Sequence, residues 1–317
     1  MTFSLEQASL EEAIQFHSIN SAGTAFQNPM IAKRLDWQCD WWFITKGSEK
    51  LGILPTYVDH EGNATTPDFS YFFGPYFSNS FLARPVSSQF ADRQKIFVVI
   101  LHHLRENFGN FKIELGPRET DVRAFLWWND AANLPRLRVT PRYSAQIDSL
   151  QITPNEVIEE GFRTLRRREI RRAYSTDTFS FSDTVNWPTC EQYYKQVLER
   201  SGSAPTVQSL KVLRAMSSLT PIDESFAITA TDTESGNLAS MIFCIRDKRV
   251  SNLVLNLTQE RYRKSGIAAL TMRNAILRAK ELGDTAFDFN GANSPNRGDD
   301  KHSYGAKPVL YFQVEST

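Results

Sequence analysis

Between Thr258 and Leu282 the chain reads TQERYRKSGIAALTMRNAILRAKEL, and its richest chemistry lies at the start of that stretch. Arg263-Lys264-Ser265-Gly266-Ile267-Ala268 follows the strand-like run VSNLVLNL and opens an amphipathic pattern, so a strand feeds a helix through a turn of small residues. Small residues at 265, 266 and 268 let backbone N–H groups converge on an anion. The helix dipole adds positive potential there, and Arg263 and Lys264 supply charge-assisted contacts, so a pyrophosphate fits. The same residues also suit a plain turn before a helix cap.

Downstream, TAFDFNG alternates Asp288 and Asn290 with Phe287 and Phe289, which places the two polar side chains on one face and the phenylalanines in the core. A carboxylate among apolar neighbours has its pKa raised and is a candidate base, and the alternative is an aspartate that caps the turn at Gly291. Tyr304 is either a phenol able to donate a proton or a packed aromatic, and His302 two residues before it is either a base or a surface bystander. FRTLRRREIRRA puts six arginines in the ten residues from Arg163 to Arg172. Spacing by three and four lines up Arg163, Arg167 and Arg171, a face that can grip a diphosphate bidentately or lie solvated against Glu159, Glu160 and Glu169. In SYFFGPYF, Tyr71 and Phe72 can stack on a pyrimidine or sugar ring, or belong to the core beside Gly74-Pro75.

The elements that must position these residues repeat. WWFITK and KLGILPTYV read as a hairpin across Gly47-Ser48, and FAITATD, LASMIFCIR and VSNLVLNL as three antiparallel strands. Each set is followed by a helix: DRQKIFVVILHHLRENFG, with Ile96, Val99, Ile100 and Leu104 on one stripe, and IAALTMRNAILRAKELG. A strand follows each, FKIELG and TAFDFNG, which predicts a tandem duplication. The first half has Ala91-Asp92-Arg93-Gln94 where the second has its small-residue loop. Thr153-Pro154 opens a helix, so the boundary is expected near Leu150, with domains over 1–150 and 151–317.

Composition sets the bounds. The 317 residues allow two cores, and 36 Lys+Arg against 36 Asp+Glu leave no net field to draw nucleic acid or an anionic membrane. Cys39, Cys190 and Cys244 are too scattered for a disulfide framework or a zinc site, so no metal is expected. The first residues carry no leader pattern and no apolar run spans a bilayer, which points to the cytoplasm. The apolar stripes are used by the predicted cores and leave oligomeric state open.

RKSGIA between strand and helix resembles the acetyl-coenzyme A loop of the GNAT acyltransferases, Gln/Arg-x-x-Gly-x-Gly/Ala. FRTLRRREIRRA and FDFNGANSPNRGDDKHSYGAKPVLYFQV are similar to the Arg-rich helix and C-terminal segment of Fem-type, double-GNAT proteins, and SYFFGPYF resembles their aromatic Gly-Pro segment more weakly. The resemblance implies an α/β protein with a tandem GNAT fold, two mixed, mostly antiparallel sheets flanked by helices. Coenzyme A then lies against Arg263, Lys264, Ser265, Gly266, Ile267 and Ala268, with its pantetheine arm between the two strands near Asn256, Leu257 and Asn290. Asp288 or His302 takes a proton from an amine, Tyr304 gives one to the departing thiolate, and Tyr71, Phe72, Arg167 and Arg171 hold the acceptor. Among double-GNAT enzymes the sequence is most similar to bacterial N-acyltransferases of dTDP-linked 3-amino-3,6-dideoxy sugars, which use acyl-CoA and a nucleotide-linked amino sugar for surface polysaccharide. The alternative is a Fem-type aminoacyltransferase using aminoacyl-tRNA on a peptidoglycan precursor. A neutral chain and a retained coenzyme A loop favour the first.

Overall fold

The computed structural model describes residues 2–129, 134–200, 202–219 and 223–317. The chain divides into two compact units, Met1–Arg142 with Leu310–Thr317, and Tyr143–Val309. The sequence placed the change-over near Leu150. Instead Ser144 to Ile147 already belong to the second unit, where Phe287 and Asp288 pair with Ile147 and Gln146, and the last eight residues return to the first.

The first unit runs β1 (Phe3–Ala8), α1 (Leu10–Ile19), α2 (Pro29–Arg34), β2 (Cys39–Lys46), β3 (Glu49–Val58), β4 (Ala64–Thr65), β5 (Tyr76–Phe77), α3 (Asn79–Leu82), α4 (Val86–Asn107), β6 (Lys112–Glu114) and α5 (Arg123–Leu126). β7 (Leu137–Ile147) then leads out of it. Its five-stranded sheet is antiparallel throughout, in the order β1-β2-β3-β4 with β5 also on β3. The β2–β3 hairpin turns at Gly47, whose φ of +63° a residue with a side chain adopts at a cost. α4 begins six residues earlier than its sequence pattern suggested, so Ala91 to Gln94 lie two turns inside a helix and not in a loop. It buries Ile96, Phe97, Ile100, Leu101 and Leu104 against Phe77, Phe81 and Phe125, and Val99 sits at the edge of that stripe.

The second unit continues with α6 (Asn155–Glu160), α7 (Thr164–Ser175), β8 (Phe179–Ser182), α8 (Trp187–Arg200), α9 (Val207–Ala215), β9 (Ser225–Asp232), β10 (Leu238–Asp247), β11 (Val250–Thr258), α10 (Ile267–Glu281), β12 (Ala286–Asp288) and α11 (Pro295–His302). β13 (Lys307–Ser316) carries the chain back. Strands follow the order β7-β12-β11-β10-β9-β8, antiparallel except for the parallel pair β11–β12. β10 is buried from Ala239 to Ile245, which explains its unbroken apolar run, for a central strand covered on both faces has no polar side to show. α10 lies on the sheet and buries Ile267, Leu270, Met272, Ala275, Ile276 and Ala279.

One buried ion pair ties this framework together. Asp284, just after the αL turn at Gly283, accepts two hydrogen bonds from the Arg246 guanidinium at 2.8 and 2.9 Å and another from Ser251. Arg246 also donates to the Leu282 and Asp223 carbonyls, so the end of α10 is pinned to the β10–β11 hairpin. Removing the carboxylate leaves a mostly buried guanidinium short of a partner, and Asp284→Ala is expected to lower unfolding free energy by about 3–5 kcal/mol in denaturant titration.

Candidate functional site

β11 pairs with β10 along its length but with β12 only from Val250 to Asn252. Beyond Leu253 the two parallel strands part. Asn290, with φ +53°, and Gly291, with φ +36°, turn the chain away, and the Phe289 N–H bonds to Ala145 of β7 at 2.8 Å. At the apex of this wedge the Asn290 side-chain amide donates to the Leu253 carbonyl at 2.9 Å, while its Oδ1 is buried without a partner. A parallel edge opened in this way offers unpaired backbone groups to an extended ligand.

The strand ends in a short 3-10 turn, Glu260–Tyr262, held by the Tyr262 hydroxyl on Asp232 at 2.8 Å. Ser265 then caps α10: its hydroxyl donates to the Tyr262 carbonyl at 2.7 Å and accepts the Ile267 N–H at 3.1 Å. Gly266 has φ +91°, and a Cβ there would sit 2.2 Å from the Glu169 carbonyl oxygen of α7. The glycine is therefore required twice, by its left-handed conformation and by the backbone of α7 packed against it. Among the described residues the N–H groups of Lys264, Gly266 and Ala268 find no hydrogen-bond partner, so three donors stand at the positive end of a 15-residue helix.

A cleft of about 550 Å³ opens at this point, lined by Asn256 and Thr258 of β11, Arg263 and Ala268 of the loop, Arg166 of α7, Val197 and Arg200 of α8, Asp300 of α11, and Tyr304. Three arginines and one aspartate line the cleft; Arg166 is paired with Glu169 and Asp300, and Arg200 and Arg263 both pair with Glu260. Tyr304 is buried, stacked on Phe289 and edge-on to Phe162, with the Arg166 guanidinium 5.2 Å over its ring. Burial pushes its phenol above the usual tyrosine value, partly offset by Arg166, so the hydroxyl keeps its proton at neutral pH.

The other sequence candidates are placed as follows. Asp288 and Asn290 are both buried, because the two faces of β12 are covered; the alternation does not separate core from solvent. Asp288 does not line the cleft. Its Oδ1 accepts from the Ser144 hydroxyl and from the Asn290 N–H at 2.7 Å, and burial raises its pKa to about 6 against those two bonds. His302 bonds through Nδ1 to the Ala306 carbonyl at 2.8 Å and is also outside the cleft lining. Leu257 and Ile267 contribute buried side chains, and Lys264 is exposed.

On α7, Arg163 pairs with Asp299, and Arg166 is consumed by Glu169, Ser303 and Asp300. Arg172 donates to the Ser265 carbonyl at 3.2 Å. Arg167 and Arg171 stay exposed, with no carboxylate partner among the described residues. Phe72 is buried edge-on to Tyr311 in the first unit, with φ +57° and its N–H on Glu114, and Tyr71 packs on Phe26.

No family model matches the chain, and no curated protein matches it by sequence. Solved structures match it over nearly its whole length. The structure of FemX aligns with TM-score 0.67 at 10% identity, covering 98% of this chain and 96% of that one. L-PGS from Bacillus licheniformis gives 0.58 at 10%, covering 98% and 92%. A tandem GNAT protein from the clavulanic acid biosynthesis pathway gives 0.56 at 10%, covering 99% and 98%.

The chain has a tandem GNAT fold.

Within the GNAT fold of the second unit, the loop residues Arg263 and Ala268 and the strand residue Asn256 meet Tyr304 around one cleft, although 48 positions separate Asn256 from Tyr304. Sequence reasoning missed Arg200 and Val197, which reach the cleft from α8, a helix with no motif of its own. It also missed the locked role of Arg166, whose partners Asp300 and Ser303 are more than a hundred residues away.

Two measurements probe this geometry. Gly266→Ala is expected to cost about 3 kcal/mol or more in denaturant unfolding, since it combines αL strain with a collision against main chain that cannot swing aside. Asp288, whose folded pKa lies above the ordinary 3.8, binds its proton more tightly folded than unfolded, so it withdraws stability as pH rises from about 4 to about 6. Relative to wild type, Asp288→Asn should gain stability across that window, by at most about 3 kcal/mol, and a flat difference between pH 4 and 7 would remove the shift.

Proposed function

We propose that the protein is an acyl-coenzyme A-dependent N-acyltransferase whose acceptor is the amine of a nucleotide-linked sugar, a dTDP-linked 3-amino-3,6-dideoxy sugar best matching the sequence resemblance. The observation that carries this is the coincidence, in one unit, of a parted parallel strand pair, N–H groups at a helix start without partners among the described residues and an arginine-lined cleft holding a proton-retaining tyrosine. A long thioester with a pyrophosphate in its middle matches those features in order.

In this reading the N–H groups of Lys264, Gly266 and Ala268, with Arg263, take the pyrophosphate. The pantetheine arm runs along the open edge of β11 past Asn256 and Leu257, and the buried Asn290 Oδ1, at Leu253, supplies an unused acceptor. Backbone donors on that edge polarise the thioester carbonyl and hold the oxyanion as the amine attacks. The C–N bond forms, the C–S bond breaks, and Tyr304 protonates the thiolate. Asp288, ionised at pH 7 yet more basic than an ordinary carboxylate, is the final acceptor of the amine proton, reached from outside the cleft lining. Arg167 and Arg171, exposed and without acidic partners among the described residues, hold the acceptor's diphosphate.

A second reading, aminoacyl transfer from tRNA, draws support from the same exposed arginines, which suit an RNA backbone. Calorimetric titration separates the two. Coenzyme A is expected to bind in the micromolar range, followed by the dTDP-amino sugar, and Asp288→Asn should cut kcat by roughly 10² or more while leaving coenzyme A affinity within about threefold. Near-wild-type turnover would take Asp288 out of the mechanism, and binding of aminoacyl-tRNA without coenzyme A would establish the second reading.

A further inference from the structure

Two of the arginines that line the cleft share one carboxylate that does not. Glu260, in the 3-10 turn after β11, pairs with Arg200 at the last residue of α8 and, at 3.5 Å, with Arg263 of the loop. Both arginines line the cleft, beside the N–H groups that have no partner, and Glu260 itself is not among the lining residues. Its side chain is 63% exposed, so it is free to swing into water. Arg166, the third cationic side chain of the cleft, is by contrast held by a partner on each of its three nitrogens.

We propose that Glu260 is an internal competitor for the anion site: it neutralises Arg200 and Arg263 in the free protein and is displaced when a phosphate of the donor takes its place. Arg200 is thereby assigned as a determinant of donor affinity contributed by α8, across the cleft from the loop. This inference rests on the acyl-coenzyme A reading. The energetics permit the exchange, because an exposed carboxylate–arginine pair is worth little in water and a doubly charged phosphate competes well for two guanidiniums. Holding the arginines neutral until the donor arrives also prevents unrelated anions from filling the cleft.

The test is titration of coenzyme A into the wild type, Glu260→Gln, Arg200→Ala and the double variant at low and high salt. Glu260→Gln should tighten coenzyme A about three- to tenfold, Arg200→Ala should weaken it by a similar factor, and the gain from Glu260→Gln should be smaller, though not lost, when Arg200 is absent, since Arg263 remains. All these differences should shrink at 0.5 M salt. Thermal unfolding of the four proteins without ligand controls for loss of the ion pair on folding, which gives every variant equal or lower stability and cannot produce tighter binding. If wild type binds coenzyme A and Glu260→Gln leaves its affinity unchanged or weaker, the competitor role is wrong and the donor reading stands. If coenzyme A binds none of the four, the donor reading itself fails and this inference falls with it.

Discussion

The second unit is organised around the point where two parallel strands stop pairing. Val250 to Asn252 hold Ala286 to Asp288, and then Asn290 and Gly291 enter positive φ and the partnership ends. The groups released by that parting must be satisfied elsewhere. Phe289 turns to β7, the Asn290 amide caps Leu253, and Asp288 collects Ser144 and the Asn290 N–H, so a buried carboxylate and a buried carboxamide stand guard at the apex. Beyond Asn252 that edge of β11 has no partner strand among the described residues.

A second constraint converts the opening into a site. The main chain of α7 lies so close to Gly266 that no side chain fits between them, which fixes where α10 begins relative to the end of β11. Arg172 reinforces this from α7 by bonding the Ser265 carbonyl, and Arg166 joins α7 to α11 and Tyr304. The arginine helix is thus divided by function. Its inward residues are structural ties between α7, the loop and α11, and its outward residues Arg167 and Arg171 have no acidic partners among the described residues.

The two units share a plan and differ at this point. In the first, α4 starts after Pro85 with no side-chain cap, and Arg93, which the sequence aligns with the loop, lies within the helix beside Glu119 at 3.6 Å. Burial lifts Glu119 to about 7, with Arg93 opposing, so that pair is part of a packed interior and not an anion cradle. The aromatic segment around Gly74 is likewise core: a Cβ on Gly74 would meet the Glu114 carbonyl at 2.4 Å, and the segment's rings are spent on packing.

Local sequence determined a good deal. Hairpins with Gly at the turn, the apolar periods of α4 and α10, and RKSGIA between strand and helix are all written in residues close together, where backbone preference and side-chain period act directly, and they sufficed for the α/β class and the tandem plan. The tertiary structure decided the rest. The unit boundary moved because β7 pairs with β12 at a separation of 140 to 142 positions, and the chain's last strand returns to the first unit, neither of which leaves a local mark. Which arginines are free depended on where Asp299, Asp300 and Ser303 fell, and Arg200 joined the cleft only because α8 packs beside β11. Long-range charge pairing and close backbone approach are properties of distance in space, and a one-dimensional string carries period and composition but not distance.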